Sequence, residues 1–123
     1  MLLSIDLLSY QDQLRSKREG AKRYIFDPIR KKWLVLQPEE IVRQLVVLYL
    51  MRKKAYKPTH MHLEMGLKVN QMSKRCDIIT YNRAVEPFLL VECKSPSVML
   101  NQDTFRQIAN YNLPLRVPYL MIT

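Results

Sequence analysis

The chain has 123 residues, is 48% apolar, contains only two glycines and carries a net charge of +9 with a pI near 9.8. That length makes one domain, and the composition excludes a low-complexity or flexible chain. The positive excess favours a polyanionic partner, nucleic acid or an anionic surface.

The longest apolar stretch, Leu45 to Met51, has seven residues, far short of the ~20 that span a bilayer. The apolar start at Met1–Leu8 lacks a basic leader and contains Asp6, so neither a signal peptide nor a membrane partner is expected. Cys76 and Cys93 are too few for a disulfide framework and read as reduced core thiols of a cytoplasmic protein.

Residues 1–24 hold Arg15, Lys17, Arg18, Lys22 and Arg23 and read as an N-terminal basic arm or an amphipathic helix. Residues 25–123 read as one domain. Pro28 and the following basic residues predict a turn, and Trp33–Leu36 a short strand. Pro38-Glu39-Glu40 is a helix start, with proline at the first position and acids against the helix dipole. The helix should run to about Lys54 and bury a wide apolar surface through Val42, Leu45, Val46, Tyr49 and Leu50. Strands follow over Met61–Asn70, Lys74–Tyr81 and Pro87–Lys94, joined by loops short enough for antiparallel hairpins. Asn101–Tyr111 predicts a second helix ended by Pro114, and Val117–Ile122 a last strand. The expected fold is α/β, a mixed central sheet flanked by helices. Because that last strand stops at Thr123, the chain is expected to be an excerpt of a longer one.

The chemistry sits on two of these strands. Arg75-Cys76-Asp77-Ile78-Ile79 carries one acid, and Phe88-Leu89-Leu90-Val91-Glu92-Cys93-Lys94 a Glu-x-Lys. Apolar strands usually expel charge, because an unpaired buried charge costs several kcal/mol. Alternation points Glu92 and Lys94 to the same face, and a neighbouring strand can bring Asp77 to them. Two carboxylates and an ammonium at a strand end can hold a divalent metal and a polarised water. The competing explanation is a solvated Glu–Lys pair, which the four-residue apolar run before Glu92 disfavours. His60 and His62 have no cysteine nearby, which argues against zinc.

The order helix, three strands, helix, strand, with Asp77 and then Glu92-Cys93-Lys94, resembles the PD-(D/E)XK nuclease core, a restriction-endonuclease-like fold. Pro38-Glu39-Glu40-Ile41-Val42-Arg43-Gln44, Arg75-Cys76-Asp77-Ile78, Val91-Glu92-Cys93-Lys94 and Gln107-x-x-x-Tyr111 together resemble the N-terminal endonuclease domain of type I restriction enzyme R subunits, over residues 25–123. The resemblance implies a metal-dependent DNA endonuclease. Asp77 and Glu92 would bind Mg²⁺ or Mn²⁺, with the Cys93 carbonyl completing the shell and Lys94 orienting the water. Glu39 or Glu40 would add a helix-borne acid. Glu39 has the spacing of Val42, Val46 and Tyr49, whereas Glu40 aligns with Arg43 and Gln44, so Glu39 is favoured. Gln107 and Tyr111 share a helix face that meets the DNA backbone, buttresses Lys94 or simply packs. Arg43 and Arg106 are candidate phosphate contacts. Asp77→Ala and Lys94→Ala are both expected to leave the fold intact.

The resemblance also implies partners. In the restriction enzyme this domain is joined to a translocase, and no translocase motif occurs here, so a separate translocase, helicase or specificity subunit is a candidate partner beside DNA, and an oligomer is admitted. The alternative function is a catalytically silent nuclease-fold module for DNA binding or docking, since fold alone does not guarantee activity.

Overall fold

The computed structural model describes residues 5–69, 71–96, 100–103, 106, 109, 112 and 115–123. The chain opens with a 3-10 turn at Leu7–Gln13, followed by β1 (Ser16–Glu19), β2 (Lys22–Asp27) and β3 (Lys32–Val35). These form an antiparallel sheet in the order β1-β2-β3. Within the expected arm or helix of residues 1–24, the basic stretch from Ser16 is instead a hairpin of β1 and β2. Gly20, at φ 62°, supplies the left-handed turn residue between Glu19 and Lys22, and alternation about buried Ile25 and Asp27 gives β2 one inward face.

Helix α1 (Pro38–Arg52) begins and ends within two residues of the expected span, with Pro38 at its start and Glu39 and Glu40 in its first turn. It lies against a four-stranded sheet of β4 (Met61–Val69), β5 (Met72–Tyr81), β6 (Pro87–Glu92) and β7 (Tyr119–Ile122). The strand order is β4-β5-β6-β7, antiparallel through β6 and parallel between β6 and β7. A parallel neighbour requires a crossover, and helical residues recur within it at 102, 103, 106, 109, 112 and 115. Helical conformation persists at Leu115, past the expected end at Pro114. The Arg116 N–H still donates to the Asn112 carbonyl (2.7 Å), and the Asn112 side chain turns the chain into β7 by accepting from the Val117 N–H at 2.6 Å.

Two apolar layers sandwich the mixed sheet. Val46, Val47 and Leu50 of α1 pack on Leu63, Ile78, Val91 and Cys93. Cys76, Ile79, Leu90 and Val117 form the opposite layer. Both cysteines are free and fully buried, as expected. No described helix is long and apolar enough to cross a membrane.

Candidate active site

The site lies at the α1 end of β5 and β6. The pairs Leu63–Ile78 and Met65–Cys76 flank Glu64 and Asp77, and one step beyond the Ile78–Val91 pair lie Asp77 and Glu92. Glu64, Asp77 and Glu92 thus stand in one row across three strands. Cys76 packs in one apolar layer while Ile78, two residues on, packs in the other. Regular alternation would put both on one face, so it breaks at Asp77, opposite Glu64 with its positive φ of 56°. This local break lets Asp77 reach toward α1 from inside the sheet.

Asp77 is 5% exposed and fully engaged. Its Oδ1 accepts from Arg43 Nε at 3.2 Å and Nη2 at 2.5 Å, and its Oδ2 accepts from the Cys93 backbone N–H at 2.8 Å. That last bond ties β6 to β5 where the regular ladder stops. Glu92, equally buried, meets Lys94 Nζ through Oε1 at 3.1 Å. Its Oε2 is buried without a hydrogen-bond partner. Lys94 follows the end of β6, and its N–H donates to the Thr123 carbonyl at 2.7 Å, extending the pairing with β7. Its side chain remains partly open and lines a groove of about 500 Å³ with Pro38, Ile41 and Val42.

Arg43 is the hub. Besides Asp77 it reaches Glu40 Oε1 at 2.6 Å, Glu64 Oε1 at 2.6 Å and Glu39 Oε1 at 3.4 Å. Burial opposes its charge, but the bonds to Asp77 and the fields of Asp77, Glu40 and Glu64 outweigh that, and its pKa lies well above the ordinary value. Glu40 also accepts from Arg30 Nη2 at 3.2 Å and Gln44 Nε2 at 3.1 Å, and Arg30 is paired to fully buried Asp27. A continuous chain Asp27–Arg30–Glu40–Arg43–Asp77 therefore links the N-terminal sheet through α1 to the site.

Several expectations change here. Asp77, Glu92 and Lys94 do converge. Of the helix acids, the inward one is Glu40, whereas Glu39 is half exposed at the rim. Helical spacing placed Glu40 with Arg43 and Gln44 correctly, and that face is buried, where Arg30 meets Glu40 and the carboxylates of Glu64 and Asp77 meet Arg43. Arg43 is no phosphate contact, since its guanidinium is enclosed by carboxylates. Arg106 is exposed and 3.5 Å from Asp103. Gln107 and Tyr111 lie outside the described residues. Sequence reasoning missed the roles of Glu64, Arg43 and Arg30. For Glu64 the sequence alone leaves a remote shell residue or a rim charge and favours the rim, and an acid between Leu63 and Met65 was the available signal.

The electrostatics are acid-rich. Asp27, Glu39, Glu40, Glu64, Asp77 and Glu92 face Arg30, Arg43 and Lys94. Desolvation, then repulsion from Asp77, pushes the Glu92 carboxyl up to about 7 despite Lys94. Burial acts to lower the Lys94 pKa, but its hydrogen bond to Glu92 and the Glu92 and Asp77 charges raise it above its ordinary value. Burial raises the Cys76 thiol to about 12 and the Cys93 thiol well above its usual range, so neither is a nucleophile near neutrality.

The Glu92 shift fixes a stability profile. Its folded pKa exceeds the ordinary 4.5, so the folded state holds an extra proton across that interval. Stability is greatest below it and falls as pH rises to about 7. Glu92 should contribute a loss of ~3 kcal/mol over this window. Urea denaturation of wild type and Glu92→Gln in EDTA at pH 5 and pH 8 measures it. Equal pH dependence of the two proteins would remove Glu92 as the cause.

The fold and site define an α/β domain with a buried carboxylate row and an adjoining lysine at the end of its central strands. The chain belongs to the family described as Type I restriction enzyme R protein N terminus (HSDR_N), whose family model matches residues 38–123. A comparison with curated proteins gave no match. Membership gives the chain a nuclease-related character, and the matched segment holds Asp77, Glu92 and Lys94 but not the N-terminal sheet.

Proposed function

We propose that the domain is a metal-dependent endonuclease that hydrolyses DNA phosphodiesters. The observation carrying this is the buried, unpartnered Glu92 Oε2 beside Asp77 and Lys94. An orphaned carboxylate oxygen costs free energy, and two buried carboxylates on neighbouring strands match the demand of a hard cation. Among the described residues no three His, Cys, Asp or Glu side chains form a metal cage. That suits Mg²⁺ or Mn²⁺, which take one or two carboxylates and keep several waters, better than zinc.

Asp77 and Glu92 would hold the ion, with the Cys93 carbonyl at the same strand end. Bound there, it would polarise a phosphate and lower the pKa of a water. Arg43 and the Cys93 N–H fix Asp77, so that carboxylate is oriented before any ligand arrives. Lys94 keeps its proton and presents a positive charge at the mouth of the site, where it would offset charge developing on the phosphate. Glu39, half exposed at the rim and 3.4 Å from Arg43, is the helix acid that would approach a bound ligand. DNA, and the other subunits of a type I restriction assembly, are the partners this function implies.

The test is supercoiled-plasmid nicking with and without Mg²⁺, alongside Lys94→Ala. Lys94→Ala is expected to retain Mn²⁺ binding by calorimetry and lose about 10²–10³-fold in rate, the scale of removing one preorganised electrostatic group. Metal-independent nicking, or an unimpaired Lys94→Ala, would overturn the assignment.

A further inference from the structure

The N-terminal sheet carries a second surface. Residues 15–35 contain eight of the chain's basic residues and only two acids, Glu19 and Asp27. Asp27 is buried and committed to Arg30. Buried Ile25 and Asp27 define the inward face of β2, so Tyr24 and Phe26 project to the other. Register places Lys17 opposite Tyr24, and Trp33 opposite Phe26. Phe26 and Trp33 meet edge to face with centroids 5.2 Å apart. Arg15 lies 4.7 Å from the Phe26 ring and 5.5 Å from that of Trp33, and Lys17 lies 4.5 Å from Trp33. The outer face is thus three aromatic rings interleaved with cations, bordered by exposed Val35.

We propose that this face binds single-stranded nucleic acid, with bases stacked on Trp33, Phe26 and Tyr24 and phosphates held by Arg15, Lys17 and Lys22. The site is separate from the carboxylate row and outside the segment that matches the family. Its charge complements a polyanion, and its rings suit an occupant that also has flat π surfaces, which a duplex hides. The cations now over the rings do not block this. An exposed cation–π contact is worth about 0.5–1 kcal/mol, whereas stacking a base contributes about 1–3 kcal/mol. Displaced cations remain beside the rings to meet phosphates. The Asp27–Arg30–Glu40–Arg43–Asp77 chain holds this sheet in fixed relation to the carboxylate row.

Trp33 is the only tryptophan, so its emission reports on this face alone. Titration of the intact protein in EDTA with a dT₂₀ oligonucleotide should quench Trp33. A duplex of the same length should bind at least about 10-fold more weakly, since its bases are unavailable for stacking. Arg15→Gln/Lys17→Gln should weaken dT₂₀ binding about 10-fold and flatten its salt dependence. Binding without quenching, unchanged affinity in the double variant, equal affinity for inorganic polyphosphate, or preference for duplex or for anionic phosphatidylserine vesicles would each overturn the proposal. Plasmid nicking is scored separately, so loss of the nuclease assignment would leave this one standing, and the reverse.

Discussion

Glu92→Gln is expected to abolish Mg²⁺-dependent nicking while raising the melting temperature at pH 8. The substitution removes one of two carboxylates that would hold the metal, and a neutral amide is a poor ligand for a hard cation. Loss of at least about 10²–10³-fold in rate is the scale for one such electrostatic group. Stability moves the other way. In wild type at pH 8 the Glu92 charge is buried beside Asp77, with Oε2 lacking a donor. The glutamine oxygen can still accept from Lys94, and its amide can donate to Asp77 without a charge to desolvate. Release of ~3 kcal/mol, less the cost of imperfect amide packing, corresponds to roughly 5–10 °C in a domain of this size. Calorimetric melting and plasmid nicking on the same preparations decide it. A variant that nicks normally, or melts lower, would sink the placement of Glu92. Asp77→Ala is the weaker experiment, because it removes one acceptor of the buried Arg43 guanidinium and the acceptor of the Cys93 N–H. The sequence alone leads to the expectation that Asp77→Ala stays folded; these bonds make the expected outcome a loss of activity and stability together.

Arg43→Met is expected to be the most destabilising single change. Methionine fills the volume of the arginine stem, so the deficit is electrostatic rather than a cavity. Glu40, Glu64 and Asp77 would face one another with their common cation gone. Removing one partner of a buried ion pair costs about 3–5 kcal/mol, a large share of the ~5–15 kcal/mol that holds a domain. The loss should be smaller at pH 5 than at pH 8, because orphaned carboxylates regain neutrality by binding protons in the folded state. Arg43→Lys should recover only part, since an ammonium cannot fork between Asp77 Oδ1 and Glu40. Urea denaturation midpoints at both pH values measure this. A midpoint for Arg43→Met within error of wild type would show that the hub carries no net stability.

Much of the matched domain was legible because its signals are local. Pro38 with two following acids starts α1 by helix-end chemistry alone. Short polar breaks between the apolar runs required β4, β5 and β6 to be a meander, and the helical spacing from Asn101 placed a helix before the last strand. The two acids and the lysine stood out because charge is rare in such strands. The N-terminal hairpin was not legible: five basic residues hid the alternation that buried Ile25 and Asp27 reveal, and one glycine was the sole turn signal.

By itself the sequence determined the α/β element order from Pro38 onward, singled out Asp77, Glu92 and Lys94, and set the chain's excess of positive charge. These depend on neighbours in the chain, through alternation, capping and composition. Only the tertiary structure decided that Glu40 rather than Glu39 is buried, that Arg43 is held by four carboxylates instead of meeting a phosphate, and that Glu64 joins the row. Those outcomes depend on which strand lies opposite which residue and on what covers a helix face. A buried charge is set by partners 10 to 34 positions away, and local spacing holds no record of them.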